Sequence, residues 1–375
     1  MSIKRISRAS ALACGGLIAG TATAAAAPNA EELPKAGYQC RTIGPENRVE
    51  PPPPLSPIKL DSSAQTAAIR DFVEKNKISE YPCPRGEVAY PKSYFPTARK
   101  SNPWISRELR TPMSPSGTRT PRRSGDIQDD QDPTRTKYRY VSKYYDTDTH
   151  GVSIEINVAN PEVEESGVSQ SIAQLAASGE VGDMDTVELG WRVSRWEAGP
   201  RLFTYVNKDN YATHGQPGGD CYNCNFIPLP GADYVPGQAL VPSSISTETL
   251  QFGVRLIDDN WWVWVGDQWI GYLDGDFWPG TTEYSNSHVF YGEVYDDGEG
   301  TTDMGNGRWG HELNSSVMMN PTASYFKNGG WVTVDEPIDP TRGSPLWSSV
   351  ASRYDGYEAY GARSRSWKFG GPGTG

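Results

Sequence analysis

The stretch Thr186-Val187-Glu188-Leu189-Gly190-Trp191-Arg192-Val193 decides the fold class. Its apolar residues recur at every second position, so Val187, Leu189, Trp191 and Val193 share one face of a strand, while Glu188, Gly190 and Arg192 share the other. Glu188 therefore faces a cleft. Gly190 beside it has no side chain and leaves room for another chain to approach closely. An exposed polar sheet face, with Glu188 paired to Arg192, is the plainer reading of the same pattern.

Working outward, the same alternation recurs at Val152 to Val158, Leu202 to Val206, Leu250 to Ile257, Trp261 to Val265 and His288 to Val294, with breaks rich in Gly, Asn and Asp between them. Only Val168 to Ala177 reads as helical or ambiguous. The pattern predicts an all-β fold, a twisted antiparallel β-sandwich of about a dozen strands in two large sheets. No repeat of fixed period is present, which weighs against propellers and solenoids. Composition agrees, since 30 Pro, 39 Gly and 32 Tyr plus Trp suit turns and strands better than helix bundles.

The strand region starts near residue 136, and composition changes there. Seventeen of the 30 prolines lie between Pro28 and Pro133, whereas 11 of the 12 tryptophans lie from Trp191 onward. Two units of different character follow. At the start of the chain, Lys4, Arg5 and Arg8 precede an apolar run from Ala11 to Thr23 and a row of small residues ending at Ala27, the layout of a secretory signal peptide over residues 1–27. The run is short of the roughly 20 residues that a spanning anchor needs. Cys14 lies inside it and leaves with it. Residues 28–98 read as a small Pro-rich unit with a short amphipathic helix from Ala64 to Val73 behind the polar cap Asp61-Ser62-Ser63. Residues 99–135 are polar, without apolar periodicity, and read as a flexible linker with a processing site, Arg122-Arg123 being one candidate. Residues 136–375 form the β unit.

Charge and motif content exclude several functions. The net charge of -11 disfavours nucleic acid and anionic lipid. No G-x-S-x-G or H-E-x-x-H motif occurs, and His150, His214, His288 and His311 are scattered without ligand spacing, so neither a metal nor another cofactor is expected. Cys221-Tyr-Asn-Cys224 carries half of a zinc-ribbon spacing but lacks its second half, and a local disulfide explains it better. What remains is a second acid placed like the first. In Val289-Phe290-Tyr291-Gly292-Glu293-Val294-Tyr295 a glutamate interrupts an aromatic strand and shares a face with Tyr291 and Tyr295. Glutamate is depleted in strands and costly to bury unless paired or protonated. Two such acids, each beside a glycine, form a candidate catalytic constellation.

The segments that hold these residues, taken in order, resemble the neprosin family of secreted glutamic peptidases. They are Gly151-Val-Ser-Ile-Glu-Ile-Asn157-Val-Ala-Asn160-Pro161-Glu-Val-Glu164; Ser169-Gln-Ser-Ile-Ala-Gln174; Thr186-Val-Glu188-Leu-Gly190-Trp191-Arg-Val193; and Arg201-Leu-Phe-Thr-Tyr205. Cys221-Tyr-Asn223, Asn260-Trp261-Trp262, Trp269-Ile-Gly271-Tyr272, Gly292-Glu293-Val294, Met304-Gly305-Asn-Gly307 and Trp367-Lys-Phe-Gly370-Gly371-Pro372-Gly373 continue the series. Cys83-Pro84-Arg-Gly86-Glu-Val88 resembles the family's activation-peptide motif more weakly. The resemblance implies a glutamic-peptidase-like β-sandwich, Glu188 and Glu293 as catalytic residues, an inhibitory prodomain, secretion, and endopeptidase activity after proline on peptide or protein substrates. Three departures stand out: the short cysteine loop, Arg353 where many relatives have cysteine, and Val206 after Tyr205 where an aromatic is usual.

Two carboxyls in one cleft repel, so one is held protonated while the other ionises, which favours acid pH. Trp191, Tyr205, Tyr291 and Tyr295 are candidates for lining a peptide groove. An inhibitory prodomain joined covalently to the β unit could not be released by one cut, so the expected disulfides are Cys40 with Cys83 and Cys221 with Cys224. A noncatalytic or carbohydrate-binding β-sandwich is the alternative, since aromatic rings stack on sugars and glycosidases also use two carboxyls.

Overall fold

The structure, a computed structural model, describes residues 38–42, 87–91, 137–165, 169–178, 186–197, 199–207, 221–223, 225–275, 284–296, 300–326, 333–340, 343–358 and 365–373. Its first two strands are β1 (Tyr38–Thr42) and β2 (Glu87–Pro91). Then come β3 (Tyr138–Thr149), β4 (Gly151–Ile156), β5 (Ser169–Ser178), β6 (Thr186–Ser194), β7 (Arg201–Asn207), β8 (Cys221–Tyr222) and β9 (Phe226–Pro228). A run of longer strands follows, β10 (Leu250–Ile257), β11 (Asn260–Val265), β12 (Gln268–Leu273), β13 (Ser285–Asp296) and β14 (Ser316–Phe326). The chain closes with β15 (Thr333–Pro337), β16 (Trp347–Ser348), β17 (Asp355–Tyr357) and β18 (Ser366–Gly370).

These strands form two large antiparallel sheets and one ribbon. One sheet runs β16-β3-β13-β5-β6-β7-β8; the other runs β17-β18-β14-β4-β10-β11-β12-β9, with β15 also paired to β14. The ribbon is β1 with β2, and β2 lies alongside β9. Apart from this ribbon, the signal, prodomain, helix and linker assignments fall outside the described residues. So do Cys83 and Cys224, and with them both expected disulfides.

Five of the alternating segments are strands within three residues of the expected bounds, and Val152 to Val158 is one as far as Ile156. Val168 to Ala177 is the correction. From Ser169 onward it lies in strand β5, in the middle of the seven-stranded sheet between β13 and β6. Both of its faces are buried, so it lacks the polar-outward alternation that marks a surface strand.

The two sheets enclose the main core. From β6 come Val187, Leu189, Trp191 and Val193, from β13 Phe290 and Val294, and from the other sheet Ile154, Ile156, Val263 and Phe369. Side chains of this size each contribute about 1.5–3 kcal/mol when buried. Gly292 belongs to this inner face: a Cβ there would stand 2.6 Å from the Phe369 ring and 3.0 Å from the Met304 sulfur. The C-terminal segment joins both layers, β16 pairing with β3 and β18 with β14. Lys143 on β3 is fully buried, forms an ion pair with Glu358, and lies 5.4 Å from the centre of the Trp367 ring.

Candidate active site

The opposite face of the seven-stranded sheet carries the candidate site, and strand register places each residue on it. Glu188 pairs with Ala176 of β5 and with Tyr205 of β7. Glu293 pairs with Ile172 of β5 and with Tyr140 of β3. Both acids thus project from one face of one sheet, on the two strands that flank β5. Between them in register is Gln174, opposite Gly190 on one side and Tyr291 on the other. Glu188, Gln174 and Glu293 form a diagonal across three strands, each step being a diagonal-neighbour spacing of about 7–8 Å between backbones.

All three side chains are fully buried. The Gln174 amide nitrogen lies 3.5 Å from Glu293 Oε2, a long hydrogen bond. Aromatic side chains stand on both flanks. On one side Tyr138, Tyr140, Tyr291 and Tyr295 pack together, with the Tyr138 and Tyr295 rings 4.6 Å apart. On the other side are Phe203, Tyr205 and Tyr222, with Tyr205 and Tyr222 rings 4.9 Å apart. The Tyr138 hydroxyl is held well above its ordinary pKa, first by burial and then by the negative charge of Glu293. Gln170 donates to the Tyr222 hydroxyl at 3.1 Å.

Of the groove residues expected from sequence, Tyr205, Tyr291 and Tyr295 lie on the face of the glutamates. Trp191 does not. It faces the inter-sheet core, where its indole N–H donates to the Asn157 carbonyl at 2.9 Å. Its parity with Val187 and Leu189 requires this, so a substrate-binding role for Trp191 is withdrawn. The exposed polar face with a Glu188–Arg192 pair is also not what forms: the face is buried, and Arg192 binds Glu197 at 2.7 Å and lies over the Tyr222 ring at 4.6 Å.

The space beside Gly190 is taken by the protein's own next strand. A Cβ at 190 would fall 2.1 Å from the Ala173 carbonyl oxygen and 2.7 Å from the Gln174 Cα. Gln174, Tyr138, Tyr140 and Tyr222 also belong to this face, although the sequence pattern does not mark them as site residues. The parity of Gln174 is not legible in a segment whose pattern reads as helical or ambiguous. Tyr222 was visible only as part of the cysteine loop. Among the described residues no group of His, Cys, Asp and Glu could hold a metal ion.

The described residues thus hold two acids on one sheet face of a β-sandwich, between aromatic flanks. The family model described as Neprosin matches residues 165–372, more than half of the chain, and the protein belongs to the neprosin family. A search of curated proteins found no match at a significant level. Among solved structures, scytalido-glutamic peptidase bound to a peptide-based transition-state analogue is similar at 9% identity and a TM-score of 0.31, over 62% of this chain and 97% of that one. SCP-B, a member of the eqolisin family of peptidases in complex with the tripeptide Ala-Ile-His, gives 8% identity and 0.30 over the same shares. The apo Crh5 transglycosylase gives 12% and 0.22, over 41% of this chain and 56% of that one.

Proposed function

We propose that the protein is a secreted glutamic endopeptidase that works at acid pH and cleaves peptide or protein chains, with a preference for bonds after proline. The observation that carries this reading is the placement of Glu188 and Glu293 on one sheet face, on strands either side of β5, in a chain of the neprosin family. In the proposed reaction one glutamate is ionised and takes a proton from water as its oxygen bonds to the scissile carbonyl carbon. The other is protonated and gives its proton to the amide nitrogen as the C–N bond breaks. The aromatic rings on the flanks are buried with the two acids, and they are the groups on which a proline ring would pack once a peptide reaches this face. The Pro-rich N-terminal unit acts as the inhibitor of the precursor and is removed by cutting in the linker.

The test is to express Glu188→Gln and Glu293→Gln forms of the full chain, process them, and sequence the products released from Pro-containing peptides at acid and neutral pH. Each change keeps shape but removes the titration, so each should lower kcat on the order of a hundred- to ten-thousand-fold. The double variant should lose little more, because the two acids act as one unit. Wild-type-like cleavage by a folded single variant would remove the peptidase reading and leave a binding module.

A further inference from the structure

The diagonal from Glu188 to Glu293 passes through a third polar side chain that the two-acid reaction does not use. We propose that Gln174 is a positioning residue of this site: its carboxamide holds Glu293 on one side and the attacking water on the other. This inference rests on the peptidase reading above.

The argument begins with where Gln174 stands. It lies on the strand between the two acids, in the register row between theirs, and is fully buried. A buried polar side chain in a central strand is costly unless its atoms find partners. Its amide nitrogen finds one, Glu293 Oε2 at 3.5 Å. Its amide oxygen has no hydrogen-bond partner among the described residues. The two ends of a carboxamide differ: nitrogen only donates and oxygen only accepts. With its nitrogen turned to Glu293, Gln174 favours the ionised form of that carboxylate, which gives Glu293 the part of the base and Glu188 that of the acid. The vacant acceptor is then complementary to an O–H. A water that gives one hydrogen bond to Gln174 Oε1 has its other proton free for Glu293, and its lone pair is left for the carbonyl carbon. An amide serves this purpose better than a third acid, because it stays neutral at every working pH and adds no repulsion.

The test is Gln174→Met, which keeps length and removes both donor and acceptor, measured beside Glu188→Gln and Glu293→Gln, with thermal melting to check folding. The expected result is a kcat at least about tenfold lower with KM nearly unchanged. The acid limb of the kcat/KM profile should also move to higher pH by about one unit, because Glu293 has lost its donor. Gln174→Glu serves as the second variant: a carboxyl inserted between two others should drive the same limb upward more strongly. A folded Gln174→Met or Gln174→Glu protein with wild-type kcat and an unmoved acid limb overturns the inference. If the glutamate variants are inactive in that same experiment, the peptidase reading stands alone. If they retain activity, the peptidase reading itself falls and this inference with it.

Discussion

An imidazole buried in the same sheet responds to acid in the opposite sense to the proposed chemistry. His288 on β13 is fully buried, with Ser285 Oγ 3.2 Å from Nδ1 and Thr149 Oγ1 and the Thr147 carbonyl 3.1 and 3.0 Å from Nε2. Burial lowers its pKa to about 4, although the Thr147 carbonyl pulls the other way. In the unfolded chain the ring titrates near 6.5, so between those values the unfolded state binds a proton that the folded state refuses. Stability therefore falls as pH drops through that window, by about 3 kcal/mol at its foot. His288→Gln should be free of this loss. Denaturant titrations at neutral pH and near pH 4 should show the wild type losing about 3 kcal/mol more than the variant. Equal losses would contradict the assignment. The proposed acid-pH reaction therefore falls where burial of His288 weakens the fold, which sets a lower bound on the pH at which it can run.

At the scale of elements, β5 carries most of what could not be read in advance. Strands β6, β7, β10 and β11 announced themselves because an apolar row faces the core and their turn residues punctuate them. Glu188 and Glu293 were legible for the same reason, each being an acid out of place on an apolar strand. In β5, Ile172 and Leu175 sit three apart with small or polar residues around them, which imitates a helical stripe, and burial of both faces erases the alternation. Gln174 was hidden by that error. The glycines misled differently: their neighbours in space come from remote sequence, β5 for Gly190 and Phe369 for Gly292, so vacancy and close packing look alike from sequence. Gly190→Ala should accordingly displace β5 from β6. A loss on the order of 1–3 kcal/mol or more is expected in chemical denaturation, with reduced kcat because Gln174 moves. A variant as stable and active as wild type would show that β5 yields without consequence.

Across the whole molecule, the C-terminal segment holds the layers together through a charge that is out of water. Lys143 is enclosed by Tyr145 and Trp367, 5.8 and 5.4 Å from their ring centres, and its ion pair to Glu358 joins β3 to the segment after β17. Lys143→Met alone leaves Glu358 without that cation and should cost roughly 3–5 kcal/mol. Lys143→Met with Glu358→Leu should recover most of it, since a buried pair can be replaced by apolar groups at little cost. Thermal melts of the single and double variants measure the coupling, and additive losses would mean that the pair contributes nothing of its own.

The position of β13 sets the order in which function can be acquired. It fills the place between β3 and β5, pairing along its length with both, yet the chain reaches it long after either neighbour. As synthesis proceeds from the N-terminus, β5, β6 and β7 can pair while the slot beside β5 stays empty, its edge open to any passing strand. Glu188 and Gln174 are in hand at that stage; Glu293 arrives only with the strand that closes the slot. In the proposed two-acid reaction, hydrolytic competence is thus gained only with the strand insertion that completes the sheet.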